Sequence, residues 1–233
     1  MVLRNAVYPC LLGIVAALGS VTPSRSTDKH PIVVELFTSQ GCSSCPPANA
    51  NFIELSQRKD VLALSYSVTY WDYLGWKDLF GKEEFTSRQA TYEPALGEQG
   101  PFTPQMVING RASTVGNQLS EVERLLAGAA SDGGPELRLA GGFVTIGRGQ
   151  APADGADVWL VRYDPKLIQV PVTRGENKGH TLPHSHVVRD LVRLGDWNGS
   201  DAKLALPGAT GDLRTAVLVQ ARNGGPILAA ATD

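Results

Sequence analysis

The sequence predicts two folded parts in series, an α/β domain over residues 28–131 and an all-β, sandwich-like domain over residues 136–233. Three observations carry that prediction. As far as residue 131, apolar runs of strand length alternate with stretches of helical periodicity. Beyond Gly133-Gly134-Pro135 the helical periodicity vanishes, and short alternating runs recur between glycines and prolines. The length of 233 residues also exceeds that of a typical single domain.

The first nineteen residues read as a secretory signal peptide. They carry one cation, Arg4, then an apolar stretch from Val7 to Leu18, and end with small residues at Ala17-Leu18-Gly19 where a signal peptidase cleaves. That stretch is well short of the roughly 20 residues a spanning helix needs. The expected location is therefore periplasmic or secreted. The whole chain has 21 basic and 23 acidic side chains for a net charge of −2, with no basic stripe and no polybasic patch, which argues against nucleic acid or a membrane surface as partner. Of the three cysteines, Cys10 would leave with the signal, so only Cys42 and Cys45 remain. Two cysteines make no disulfide framework, and a bridge closing so short a loop stabilises little. Chemistry is the better reason for the pair.

Ile32 to Thr38 has the β-branched and aromatic content of a buried strand, and Gly41 ends it. Pro46 and Pro47 suit the first turn of a helix, where a missing N–H costs nothing, and Phe52, Ile53 and Leu55 give that helix an apolar side. Cys42 thus sits where helix amides and the positive end of the dipole favour thiolate over thiol. Val61 to Val68 reads as a second strand. An aromatic loop, Tyr70-Trp-Asp-Tyr-Leu-Gly-Trp-Lys-Asp, leads into a helix around Glu83 to Tyr92. Pro104 precedes a short strand, Gln105 to Ile108, which Asn109-Gly110 joins as a hairpin to Ser113–Val115. A last helix, capped by Asn117 or Ser120, runs to about Ala129 with Val122, Leu125 and Leu126 on its apolar face.

This order resembles that of the thioredoxin fold, and Thr103-Pro104 and Val115-Gly116 match further motifs of it. A closer likeness is to a family of exported bacterial thioredoxin-like proteins of unknown function. It is carried by Glu35-Leu-Phe-Thr-Ser-Gln-Gly-Cys-Ser-Ser-Cys-Pro-Pro, the aromatic loop, Thr103-Pro-Gln-Met-Val and Arg174-Gly-Glu-Asn. The resemblance implies Cys42 as attacking thiol and Cys45 as resolving thiol. It also implies a cis Thr103–Pro104 bond that offers backbone to a substrate chain. Glu35 is a carboxylate inside an apolar strand, where ionised groups are seldom buried unless paired. By the resemblance it accepts the proton of the resolving thiol; by the residues alone it is equally a strand-edge group pairing with Lys77 or Arg88. Trp71 and Asp72 are candidates for substrate binding, with packing as the other reading of the aromatic loop. Ser43-Ser44 brings no cation or imidazole to the dithiol, which points to a moderate or reducing potential.

In the second part the strand-like runs are Leu137–Ile146, Asp157–Tyr163, Leu167–Val172, Val187–Leu194, Lys203–Leu206 and Thr215–Ala221, and a closing hairpin turns at Asn223-Gly-Gly into Ile227-Leu-Ala. Arg174-Gly175-Glu176-Asn177 forms a turn that caps the sandwich or meets the first domain. His180, His184 and His186 lie close in sequence and could ligate copper or zinc, although Pro183 interrupts the segment. The function expected is thiol–disulfide exchange with protein thiols and disulfides, fed by a possible membrane electron donor and needing no cofactor or metal. The alternatives are a copper- or zinc-handling protein that uses both thiolates and a histidine, and a binding module without enzymatic activity.

Overall fold

The computed structural model describes residues 1–2, 30–129, 133–208 and 211–233. Beyond Val2, the segment read as a signal peptide lies outside the described residues. Among those described, no helix is long and apolar enough to cross a membrane. The elements of the first half are β1 (Ile32–Thr38), α1 (Pro46–Leu55), β2 (Val61–Ser67), α2 (Glu83–Leu96), β3 (Gln105–Ile108), β4 (Ala112–Val115) and α3 (Leu119–Gly128). β1 runs parallel to β2 and antiparallel to β3, which pairs antiparallel with β4. Both faces of this sheet are covered, so every residue of β2 is buried. Val34 and Leu36 join a core with Ala48, Phe52 and Leu55 of α1 and with Val122 and Leu126 of α3. Val33 and Phe37, one residue out of phase, face Phe85 and Tyr92 of α2.

The second half contains β5 (Leu137–Ala140), β6 (Phe143–Ile146), β7 (Ala156–Asp164), β8 (Ile168–Pro171), β9 (Thr181–His184), β10 (Val187–Trp197), β11 (Ala202–Ala205), β12 (Arg214–Ala221) and β13 (Ile227–Thr232). The run Leu137–Ile146 is two strands, because Gly141 and Gly142 take left-handed φ of 57° and 78° and reverse the chain. β9 lies within the histidine segment despite Pro183. Among the described residues it pairs only with β8, on an edge where a missing donor is tolerated.

The two halves share one eight-stranded mixed sheet in the order β13-β12-β7-β10-β2-β1-β3-β4. The seam is a short parallel join, Val187 beside Ser65, with the Ser65 amide donating to the His186 carbonyl at 2.9 Å. Val158 and Leu160 of β7 and Val217 and Val219 of β12 pack against Val144 and Ile146 of the smaller sheet β11-β6-β5, forming the layered part of the molecule. Their neighbours Val161, Ala216 and Leu218 point the other way and extend the α2 core. The expected boundary near residue 135 is therefore not a break in the sheet. Its hairpin turns also interlock: the Ile227 amide donates to the Asn109 carbonyl at 2.8 Å, and a Cβ on Gly224 would stand 2.1 Å from the Thr91 carbonyl oxygen. Only glycine fits there.

Candidate functional site

Cys42 and Cys45 form a disulfide at the entry to α1, with Cα atoms 5.5 Å apart. Cys45 is the N-cap residue, no side chain caps the helix, and Pro46 and Pro47 fill its first positions as their missing donors allow. The Cys45 amide donates to the Cys42 carbonyl at 3.2 Å, folding the four residues into one tight turn. The Ser44 hydroxyl lies 3.3 Å from Cys42 Sγ and donates to the Thr103 carbonyl at 3.4 Å. The bond from Thr103 to Pro104 is cis. Trp71 donates its indole N–H to Thr103 Oγ1 at 2.7 Å and stacks on the exposed ring of Tyr73. Cys42, Cys45, Thr103, Pro104 and Trp71 are thus brought together.

Asp72 serves the same loop as a support, its Oδ1 accepting from the Asp78 amide at 3.1 Å. Asp78 in turn accepts from the Gln40 amide at 2.7 Å and from the Phe80 amide at 2.8 Å. Gln40 is fully buried, and its side-chain carbonyl accepts from the Trp76 indole at 2.9 Å. These bonds fix the turn that leads into the dithiol. Gly41 lies against Trp71, where an added Cβ would stand 3.1 Å from Trp71 Cβ and 3.3 Å from its carbonyl oxygen, so even alanine would press on that residue.

Glu35 does not join this group. Strand alternation sends its carboxylate to the α2 face of the sheet, whereas α1 and Cys45 lie on the other face with Val34 and Leu36. One oxygen accepts from Arg88 Nε at 2.7 Å and the other from the Tyr92 hydroxyl. Arg88 also donates to Gln220 of β12 at 3.2 Å and lies 5.5 Å from the ring centres of Tyr66 and Tyr92 and 5.7 Å from that of Trp159. Burial is the largest single influence and works to lower the Arg88 pKa, but Glu35, Tyr92 and Tyr66 together outweigh it and hold the guanidinium well above its ordinary value. Of the two readings of Glu35, the structure shows the pairing with Arg88. Glu35 is the anion of a buried ion pair that ties α2 to the second half, as the pairing with Arg88 would have it.

Two of the three histidines have partners other than the cysteines. His184 packs edge-on against Phe80, with ring centres 5.6 Å apart. His186 contacts the Ser185 hydroxyl and stacks on Tyr163. Among the described residues no group of three His, Cys, Asp or Glu side chains could hold a metal ion.

Burial lowers the His184 pKa from 6.5 to about 4 and raises that of Asp78 from 3.8 to about 6. These two groups act oppositely on stability. Between pH 6.5 and 4 the unfolded chain binds more protons than folded His184 does, so the stability associated with His184 is complete above pH 6.5 and is lost as pH falls through this window. Folded Asp78 binds more protons than the unfolded chain between about pH 6 and 3.8, so its contribution grows as pH falls. His184→Leu should therefore gain on the wild type by about 3 kcal/mol between pH 7 and pH 4, since each pKa unit corresponds to about 1.4 kcal/mol. Urea unfolding of both proteins across that range tests this. A stability difference that does not change with pH would refute the assignment.

What the sequence did not reveal is the cover over the dithiol. Residues 173–180, the turn between β8 and β9, reach across the entry to α1. Asn177 is buried and donates its side-chain amide to the carbonyls of both Gln40 and Cys42 at 2.9 Å. Glu176 accepts from the Ser43 amide at 3.0 Å. Cys42 is only 1% exposed as a result of its surroundings. Of the two places expected for the Arg174-Gly-Glu-Asn turn, it takes the one against the first half. Its partners are more than 130 residues away, and no local pattern in the sequence points to them.

Over 89% of its length the chain is similar to an X-ray structure of a protein from Agrobacterium tumefaciens, with 34% identity, a TM-score of 0.70 and coverage of 95% of that protein. A second structure, HBP35 of Porphyromonas gingivalis, matches 88% of this chain and 75% of its own at 15% identity and a TM-score of 0.54, which is a likeness of fold. A comparison with curated proteins returns no match. Residues 33–220, which include the dithiol and the turn that covers it, match the model described as protein of unknown function DUF1223, and the chain belongs to that family.

Proposed function

We propose that the chain is an exported thiol–disulfide oxidoreductase of thioredoxin-like type, working through the Cys42–Cys45 pair. The observation that carries this reading is the placement of the disulfide at the entry to α1 beside the cis Thr103–Pro104 bond, with the Ser44 hydroxyl linking the two. A helix N-terminus is where a thiolate gains most from backbone dipoles. The strand order β2-β1-β3-β4, with α1 and α3 on one face and α2 on the other, supports the thioredoxin-like assignment.

In the reducing direction, the Cys42 thiolate attacks one sulfur of a substrate disulfide, and the other substrate sulfur leaves as a thiolate that takes up a proton. Cys45, after losing its proton, attacks Cys42 Sγ. The Cys42–Cys45 disulfide forms and the second substrate thiol is released. Two electrons pass to the substrate, and a dithiol donor, for which a membrane protein is the proposed source, restores the pair. Thr103 and Trp71 line the approach, and no cofactor is required.

Equilibration with glutathione buffers, read by alkylation and mass, tests the reading. A pair that exchanges reversibly supports it, and a pair inert to oxidant and reductant alike ends it. A Cys45→Ser variant expressed with its leader should hold mixed disulfides with its substrates, which identifies partner and direction together.

A further inference from the structure

The turn between β8 and β9 sets a carboxylate where a helix most favours an anion. Glu176 is exposed, yet its Oε2 lies 3.0 Å from the amide of Ser43, the residue after Cys42, at the entry to α1. Its neighbour Asn177 is 5% exposed and bonded to the carbonyls of Gln40 and Cys42, which anchors the turn on the cysteine loop. Gly175, one residue earlier with φ of 73°, lies near Trp76 and Leu74, whose Cβ atoms a Cβ there would meet at 3.5 and 3.8 Å. A thiolate on Cys42 would share its amides with a charge already present.

We propose that Glu176 is a positioning residue that makes the dithiol a reductant: its carboxylate, held on the Ser43 amide, opposes negative charge on Cys42, favours the disulfide over the dithiol, and so drives electrons toward protein disulfides. This deepens the proposed function and rests on it. The carboxyl itself is held below the usual range by its hydrogen bonds with Ser43, so it is charged throughout the neutral range. The balance is simple. Reduction of the pair takes up two electrons and two protons, and a nearby anion disfavours any reduced state in which the Cys42 proton has left.

Glu176→Gln keeps an oxygen for the Ser43 amide and removes the charge. In the reduced protein, the Cys42 thiol titration, read by thiolate absorbance or by the pH dependence of alkylation, should move to lower pH, its acid constant rising roughly three- to tenfold at low salt. The glutathione equilibrium should shift toward the dithiol by the same factor or less, increasingly as pH rises through the titration. Glu176→Asp should restore wild-type behaviour in part, and 1 M salt should shrink the difference, neither of which a purely structural role predicts. An unchanged thiol titration in Glu176→Gln at low salt overturns the role of Glu176 and leaves the exchange reading intact. The titration does not depend on exchange with glutathione, so it decides the role of Glu176 even if the wild type proves inert there. A disulfide that no reductant opens in the folded protein overturns both.

Discussion

Cys42→Ser should abolish disulfide exchange, reducing it to the uncatalysed background, while the folded protein persists. In the proposed mechanism the Cys42 sulfur is the reacting atom, and a serine hydroxyl at neutral pH is neither an effective nucleophile toward sulfur nor able to form the mixed disulfide. The loss of the bridge itself should cost little, because the loop it closes spans only four residues and loop-closure entropy is smallest for such loops. Cys45→Ser should differ in kind. It retains the attacking sulfur and stalls at the mixed disulfide, so that product release stops but trapping succeeds. Insulin reduction and glutathione exchange with purified variants, with unfolding monitored in parallel, separate these outcomes. Full activity in Cys42→Ser would leave the aromatic loop, with Trp71 and Tyr73, as the surface to test for binding without exchange.

Arg88→Met should destabilise the protein by about 3–5 kcal/mol, because it leaves Glu35 fully buried with no cation. The guanidinium is also the centre of a cluster joining Tyr66 and Tyr92 of the first half to Gln220 and Trp159 of the second, so the loss reaches both. Replacing both charged partners by apolar residues of similar volume, Glu35→Leu with Arg88→Met, should recover much of that loss, since the cost of desolvating two ions disappears along with their attraction. Urea unfolding of the single and double variants measures the coupling. Glu35→Gln supplies the functional control. Because the carboxylate faces α2 and not Cys45, this variant should keep the exchange rate of the wild type at temperatures where it remains folded. A selective loss of the resolving step would reinstate a proton-transfer role.

The cysteine pair, the helix behind it, the aromatic loop and the hairpins at Asn109-Gly110 and Asn223-Gly-Gly were legible because each is specified locally, whereas the reversal at Gly141-Gly142 was missed inside one apolar run. A strand ending in glycine followed by paired prolines announces an α1-like helix start, and Asn-Gly announces a reversal. Glu35 was harder to read. Where both faces of a strand are buried, its side chains show no contrast of polar with apolar, so the period of two is present but does not say which face a carboxylate will take. Pro183 likewise hid β9, because proline argues against a strand except at an edge, and the sequence does not say which strand is an edge.

By itself, then, the sequence determined that two cysteines stand at a helix entry and that glycine-rich reversals alternate with strands through the second half, while the threonine-proline step beside the cysteines was expected only from the family resemblance. Only the tertiary structure decided that the two halves share one sheet, that Glu35 belongs to Arg88, and that Glu176 and Asn177 close over the cysteine loop. The physical reason is distance along the chain. A helix start or a tight turn is set by neighbours within a few residues, whereas the parallel join of Val187 to Ser65 and the reach of Asn177 to Cys42 depend on side-chain packing between segments more than a hundred residues apart.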